Sequence, residues 1–249
     1  MRQETLDLVS DLSARFDEER FVFVPGEQLL AIDELDAHFI EFARTWKRLP
    51  PDRYFMGSKP QRFRRHAQLD LDADSGGLSW RPATGYYQRR KYNPLFGGFT
   101  RYFAPIERTT ATEAVLSALI RLASGSIFKL AGTWLVNVHL IRTVSEPGSP
   151  TAPAPEGPHR DGYDAISLHL VDRNNDIGGA TMLLDESDDL LHSFTLGSPM
   201  DTLYIDDTCF RHDVTSIAAA GRSCHRDMIL MSYEQTDGLE RSAGFVLNS

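Results

Sequence analysis

The segment PEGPHRDGYDAISLHLVDRNNDIGGATMLLD, residues 155 to 185, decides the fold prediction. It contains two short apolar runs, at 165–173 and 181–185, that predict β-strands, and Asn174-Asn175 and Gly178-Gly179 mark the turn between them. Similar short runs occupy 133–143, 193–196, 201–205 and 227–233. Strands at this spacing predict a β-sandwich or β-barrel, because βαβ units would place helical segments between the strands.

The chain upstream of these strands is predicted to be mostly helical. A short strand at 21–24 is followed by a helix at 27–48. The apolar stripe of that helix consists of Ile32, Leu35, Phe39, Phe42 and Trp46. A further helix is predicted at 111–123, where Thr110 and Glu113 form a capping box.

Length and composition limit the class of protein. A chain of 249 residues, of which 41% are hydrophobic, fits a single domain, 1–249, with a helical part at about 1–125 packed on a β core at about 130–235. A net charge of −9 disfavours nucleic acid or an anionic membrane as a partner. The sequence has no apolar run near the ~20 residues of a membrane span, no signal peptide and only two cysteines, so we expect a cytoplasmic protein.

Two His-x-Asp sequences, His159-Arg160-Asp161 and His225-Arg226-Asp227, are candidates for a metal site. With 35 acidic residues in 249, eight histidines give about one such spacing by chance, so the spacing alone is weak evidence. A site of two histidines and one carboxylate needs a second histidine from a later strand, and His225 is the last histidine of the chain. Only His159 and Asp161 can therefore complete such a site in the usual order.

His212 is the best candidate for the second histidine. It follows a predicted strand after a short connection, whereas we interpret His169, within a strand, and His192, at the start of another, as core or surface residues. Side chains at positions i and i+2 of an extended segment point the same way, so His159 and Asp161 can reach one ion. Two imidazoles and one carboxylate on one face of an octahedron are typical of non-haem iron(II) oxygenases.

Arg226 is the candidate anchor for a carboxylate co-substrate. It lies 14 residues after His212 at the start of a predicted strand, so one hairpin return would bring it beside the metal. A guanidinium binds a carboxylate through two parallel hydrogen bonds and keeps its charge at any working pH. The alternative is an ion pair with Asp227 or another surface acid.

The segment SEPGSPTAPAPEGP, residues 145 to 158, contains five prolines and precedes His159 directly. Because proline breaks both helices and the interior of sheets, this segment cannot form a regular element. It is either a plain surface loop or a lid over a site that begins at His159.

Residues 155–185 resemble the bacterial iron/2-oxoglutarate dioxygenase family that contains L-isoleucine 4-hydroxylase and related free amino-acid hydroxylases. The resemblance extends from about residue 60 to about residue 234 through further blocks in the same order. These blocks are Tyr87-Gln88, Tyr92-Asn93, Gly97-Gly98, Arg101, Phe103, His139, Arg142, the stretch 203–217 and Arg226-Asp227. The resemblance implies a mainly β chain with a double-stranded β-helix core, a cupin-like jelly roll, and N-terminal helices packed on one sheet.

The resemblance also implies the residues of the site. His159, Asp161 and His212 would bind Fe(II), and Arg226 would bind 2-oxoglutarate. Many oxygenases of this type have Ser or Thr two residues after the arginine, but Met228 stands there in this chain. A second partner for the 2-oxoglutarate carboxylate must therefore come from elsewhere.

The reaction implied is the hydroxylation of an unactivated C–H bond of a free amino acid or close derivative by Fe(II), 2-oxoglutarate and O2. Arg64 or Arg142 would bind the substrate carboxylate and Asp164 its ammonium group, because buried charges need partners. Gln88 is a further candidate contact. Two alternatives stay open: the same chemistry on a peptide side chain or another small metabolite, and a non-catalytic metal-binding barrel that senses a ligand.

Overall fold

The computed structural model describes residues 3–55 and 61–236, with the side chains of the first helix described from residue 11 onward. The helices are α1 (Gln3–Glu19), α2 (Gly26–Leu30), α3 (Asp33–Ala43) and α4 (Thr110–Leu122), with a 3-10 turn at Arg44–Arg48 and a π turn at Ala123–Ile127. The strands are β1 (Phe21–Val24), β2 (Arg62–Asp72), β3 (Gly77–Trp80), β4 (Tyr86–Tyr87), β5 (Thr100–Arg101), β6 (Ala104–Pro105), β7 (Thr133–Ser145), β8 (Ala165–Arg173), β9 (Ala180–Leu184), β10 (Leu190–Thr195), β11 (Thr202–Asp206), β12 (Arg211–Val214) and β13 (Cys224–Gln235).

Two sheets form the β core. The larger sheet has the order β1-β11-β8-β13-β7-β2-β3 with antiparallel neighbours, and β6 lies parallel to β2 at its side. The smaller sheet has the order β10-β9-β12. Leu168 of β8, Leu183 of β9 and Met228 of β13 belong to one apolar cluster that joins the two sheets. The predicted jelly-roll core with N-terminal helices is thus confirmed.

Helices α3 and α4 cover the outer face of the larger sheet. Phe42 of α3 and Leu119 of α4 are fully buried in one cluster with Val136 and Val138 of β7. Burial of each such side chain contributes about 1.5–3 kcal/mol, which fixes the helices firmly on the sheet. Because side chains alternate along a strand, the intervening residues of β7, such as His139, face the space between the sheets.

Strand β2 corrects the prediction that the N-terminal part of the chain, at about 1–125, is mostly helical. Leu69 and Leu71 pack toward the helices, whereas Arg62 and Arg64 are buried on the opposite face, between the sheets. Arg65 interrupts the apolar alternation of this segment, and the polar positions of the inner face are buried. Both features hide the strand from a search for alternating apolar residues.

The helix predicted at 27–48 is divided into α2, α3 and the 3-10 turn. Ile32 adopts an extended conformation (φ −79°, ψ 114°), which ends the first piece. The next piece begins at Asp33 with three acidic residues in its first turn, and these favour a helix N-terminus at that position. None of the described helices is long and apolar enough to cross a membrane.

The capping box predicted for α4 from Thr110 and Glu113 is wrong, because the N-cap lies one residue earlier. Thr109, and not Thr110, is the N-cap, because its side-chain oxygen accepts the backbone N–H of Thr112 at 3.1 Å. Glu113 forms an ion pair with Arg108 at 2.6 Å.

Candidate active site

His159, Asp161 and His212, here called the triad, meet in a cavity between the two sheets. The loop that carries His159 and Asp161 is joined to β12 by two backbone hydrogen bonds between His159 and His212, of 3.0 and 2.7 Å. His159 Nε2 lies 3.7 Å from Asp161 Oδ1, and His212 Nε2 lies 3.8 Å from Asp161 Oδ2. Two imidazole nitrogens and one carboxylate oxygen this close together are the donor set that suits non-haem iron(II).

The second nitrogen of each triad imidazole faces an oxygen. His159 Nδ1 lies 2.8 Å from the carbonyl oxygen of Gly157, and His212 Nδ1 lies 3.6 Å from Asp207 Oδ1. His212 Nδ1 is buried and has no hydrogen-bond partner among the described residues, so Asp207 is positioned to become one after a small movement. An acceptor at Nδ1 keeps the proton there and leaves Nε2 available for a metal ion.

Two buried side chains hold the Asp161 segment. Asp207 accepts the backbone N–H groups of Asp161, Gly162 and Tyr163 at 3.1, 2.7 and 3.0 Å. Gln88 donates from Nε2 to the carbonyl oxygen and to Oδ1 of Asp161, at 3.0 and 3.2 Å. The φ of +86° at Gly162 lets the chain turn around the Asp207 carboxylate. The sequence-predicted contact Gln88 therefore holds a triad residue.

The electrostatics of the triad favour a cation beside Asp161. Burial lowers the pKa of His212 to about 3, so this imidazole is neutral. Burial works against the charged form of Asp161, but the hydrogen bond with His159 and the positive charge of that imidazole hold the pKa of Asp161 below the usual range. Burial also lowers the pKa of His159, but its contact with Asp161 outweighs this effect and raises the pKa to about 9. A metal ion can replace that proton as the partner of the carboxylate.

Arg226 of β13 extends its guanidinium into the same cavity. It is buried, burial lowers its pKa to about 10, and its Nε and one Nη have no hydrogen-bond partner in the described part of the chain. Asp227, the alternative partner that the sequence offered, is buried and binds Arg142 instead. Thr181 of β9 lines the cavity with a fully buried hydroxyl that also lacks a described partner. A buried cation with free N–H groups fits a carboxylate.

A second group of donors lies on the wall formed by β2, β5 and β7. Arg64 donates from Nε to His139 Nδ1 at 3.2 Å. Burial lowers the pKa of His139 well below its usual range, so the ring is neutral and carries its proton on Nε2. Arg101 donates to Gln88 at 3.2 Å. His139 Nε2 and Arg101 Nε are buried without a partner among the residues described here, so this wall fits a second anionic group.

Arg142 and Asp164, two of the predicted substrate contacts, do not line this cavity. Arg142 forms two hydrogen bonds with Asp227, of 2.7 and 2.6 Å, because it lies three residues from His139 and so on the opposite face of β7. The Asp164 carboxylate accepts the backbone N–H of Gln235 at 2.9 Å at the end of β13. Both expectations are therefore corrected, whereas Arg64 and Gln88 do line the cavity.

The proline-rich loop covers the cavity. Pro153, Ala154 and Glu156 contribute to its lining, which favours the lid over the plain surface loop. Glu156 accepts a hydrogen bond from Asn93 through Oε1 at 3.0 Å, and its Oε2 is buried without a partner in the described chain.

The second His-x-Asp sequence forms a different cluster. His225 Nε2 lies 2.9 Å from Asp172 Oδ2 and 3.8 Å from Asp227 Oδ2. Both oxygens of Asp227 are bound by Arg142, and only one imidazole is present in this cluster. The triad is thus the better donor set for iron.

The site residues predicted from the sequence do not include Asp207, Thr181 and Glu156, to which the structure gives contacts or positions at the site. Asp207 lies in the connection just before His212, a position that could have drawn attention to it. Thr181 begins a predicted strand, and alternation along that strand could have indicated which way it faces. Glu156 lies in an irregular loop that offers no periodicity to interpret.

Comparisons with known proteins agree with this geometry. The family model of the 2OG-Fe dioxygenases matches residues 43–232. L-isoleucine-4-hydroxylase of Bacillus thuringiensis is 22% identical over 230 residues, which cover 89% of this chain and 94% of that protein. A bsmA homolog from Methylobium petroleophilum PM1 has a similar structure, with a TM-score of 0.76 at 26% identity over 91% of this chain and 93% of its own. IDO from Bacillus thuringiensis shares the fold, with a TM-score of 0.75 at 18% identity over 92% of this chain and 100% of its own.

The family match covers helix α4 and strands of both sheets, and it includes every residue of the triad. The donor set and the unpaired Arg226 fit the cofactors that this family uses, Fe(II), 2-oxoglutarate and O2. The chain belongs to the 2OG-Fe dioxygenase family.

Proposed function

We propose that this protein hydroxylates an unactivated C–H bond of a free amino acid or a close derivative, with the triad as its iron ligands and Arg226 as its 2-oxoglutarate anchor. The observation that carries the proposal is the presence, in one covered cavity, of a metal donor set and two separate groups of unpaired donors. The first group is Arg226, and the second is Arg101 Nε with His139 Nε2 on the wall formed by β2, β5 and β7. One group suits the co-substrate, and the other suits the carboxylate of a substrate.

The triad residues would hold the iron on one side and leave its other side open to the cavity. When bound, iron(II) and 2-oxoglutarate supply the activation of O2 for C–H oxidation, with release of succinate and CO2. Gly157 and Asp207 would keep the protons of the two imidazoles on Nδ1, while Gln88 and Asp207 fix the direction of the Asp161 carboxylate. The chain's contribution is thus a set of donors held in place before the reaction begins.

Arg226 would bind the distal carboxylate of 2-oxoglutarate through two charge-assisted hydrogen bonds. The Thr181 hydroxyl is the best candidate for the second partner that Met228 cannot supply. A Cβ on Gly179, two residues before Thr181, would stand 3.2 Å from Arg226 Cδ, so this part of the chain runs directly beside the arginine. Apolar side chains such as Leu168 and Val214 line the cavity and help to exclude water.

The substrate carboxylate would bind at the wall formed by β2, β5 and β7, here called the Arg64 wall. Arg64, Arg101 and His139 Nε2 offer only donors to the cavity, and a carboxylate offers only acceptors. A covered cavity favours a small substrate over a peptide, because a peptide needs an open groove. The name of the Bacillus thuringiensis relative, an L-isoleucine-4-hydroxylase, supports a free amino acid.

Succinate release in the presence of each of the twenty standard amino acids tests this proposal. We expect at least one free amino acid to stimulate succinate release. Turnover of its methyl ester should be lower by about tenfold or more, because a masked carboxylate leaves buried donors unpaired. Equal turnover of the free amino acid, its ester and the same residue within a peptide would favour a peptide substrate. No stimulation by any amino acid would contradict the proposal.

A further inference from the structure

Glu156, in the loop above the cavity, holds a carboxylate with an unused oxygen. Its side chain is only 9% exposed. Oε1 accepts a hydrogen bond from Asn93 Nδ2 at 3.0 Å, and Oε2 is buried with no partner among the described residues. A carboxylate is costly to bury unless it is paired, so its position calls for a partner that arrives from the cavity.

Two arginines that line the cavity, Arg62 and Arg64, have partners other than Glu156. Arg62 is bound to Asp52 at 2.9 Å. Burial lowers the pKa of Arg62, although the nearby charges of Asp52 and Glu156 act in the opposite direction. Arg64 donates to His139 and lies over the ring of Phe103. Within the described ranges, Glu156 forms no ion pair with a lysine or arginine; the base that lies near it is His159, whose Nε2 is 3.9 Å from Glu156 Oε1.

We infer that Glu156 binds the α-ammonium group of the substrate. This inference rests on the proposed function, which assigns His159 Nε2 to iron and leaves Glu156 without a cation from the protein. The substrate carboxylate would contact the Arg64 wall, and its ammonium group would contact Glu156 beside the iron ligand. Both ends of a free α-amino acid would then be recognised as charges within one cavity.

The position of Glu156 makes it a specificity-determining residue. A substrate without the ammonium group, or with an acylated nitrogen, brings no full positive charge to Oε2. An acyl group also adds volume next to Pro153 and Ala154, which line the cavity from the same loop. The loop therefore selects for a free amino group while it covers the substrate.

The test uses Glu156→Gln in the full chain loaded anaerobically with Fe(II) and 2-oxoglutarate. The two probes are the amino acid with the fastest succinate release and its des-amino analogue, which has hydrogen in place of the amino group. We expect the variant to bind the amino acid about tenfold or more weakly, as for loss of a hydrogen bond to a charged group, and to bind the analogue as the wild type does. Glu156→Asp, which keeps the charge, should recover part of the affinity.

Glu146→Gln is the matched control, because Glu146 lies at the other end of the same loop and accepts a surface hydrogen bond from Ser223. It should leave both affinities unchanged. Equal weakening of both probes by Glu156→Gln, or loss of Fe(II) from this variant, would overturn the inference and indicate a structural or metal-binding role. If the wild type itself binds no amino acid, the proposed function fails and the inference fails with it. That result differs from failure of the inference alone, in which the wild type binds the amino acid but Glu156→Gln weakens both probes equally.

Discussion

Asp207→Asn should weaken iron binding without removing any of the three triad side chains. Asp207 accepts three backbone N–H groups from residues 161–163 and faces His212 Nδ1 at 3.6 Å. Asparagine replaces one of the two carboxylate oxygens with an NH2 group, which cannot accept a hydrogen bond. Loss of Oδ1 removes the acceptor of the Asp161 N–H and the oxygen that faces His212 Nδ1, whereas loss of Oδ2 removes the acceptor of the Gly162 and Tyr163 N–H groups. Loss of such an outer partner costs about 10–100-fold in metal affinity, or about 1.4–2.7 kcal/mol.

Anaerobic titration of Fe(II) against a chromophoric chelator measures this affinity directly. Asp206→Asn is the matched control, because Asp206 is also buried but pairs with Arg20 and binds Thr208, away from the triad. Thermal unfolding of both variants shows whether they remain folded. If Asp207→Asn binds Fe(II) as tightly as the wild type, or if Asp206→Asn loses as much affinity, Asp207 does not position the triad.

Three further predictions concern the cavity. Arg226→Ala should raise the dissociation constant for 2-oxoglutarate about 10–150-fold, and Arg226→Lys should recover only part of the lost affinity, because lysine lacks the fork of donors. Calorimetry with the Fe(II)-loaded protein gives both dissociation constants, and unchanged binding would point to another anchor. Thr181→Val keeps the shape but removes the hydroxyl, so 2-oxoglutarate binding should weaken by about 2–12-fold in the same assay, and an unaltered constant would exclude Thr181 as the second partner. Arg64→Ala should raise the KM for the amino acid while 2-oxoglutarate binding stays constant; parallel losses of both would argue against separate carboxylate sites.

The strands of the core could be predicted because their apolar runs are bounded by turn residues. β8 has the predicted bounds, and β7, β9 and β11 differ only at their ends. β2 was missed because its inner face is polar and buried, a property that only the tertiary structure reveals.

The grouping of the triad could be predicted because it depends on local geometry and chain order. His159 and Asp161 share a side of an extended segment, and His212 follows the right strand. The assignment of Arg142 failed on the same rule, since a residue three positions from His139 must face the other way. Asp207 and Glu156 act through contacts between segments distant in sequence, which no local pattern records.

Iron binding by the triad variants tests the central claim most directly. Fe(II) stoichiometry and affinity should be measured for His159→Ala, Asp161→Ala, His212→Ala and, as the control, His225→Ala. The account predicts folded proteins that lose tight Fe(II) binding in the first three cases and a wild-type stoichiometry in the fourth. Tight binding by His212→Ala together with loss of binding by His225→Ala would contradict the account.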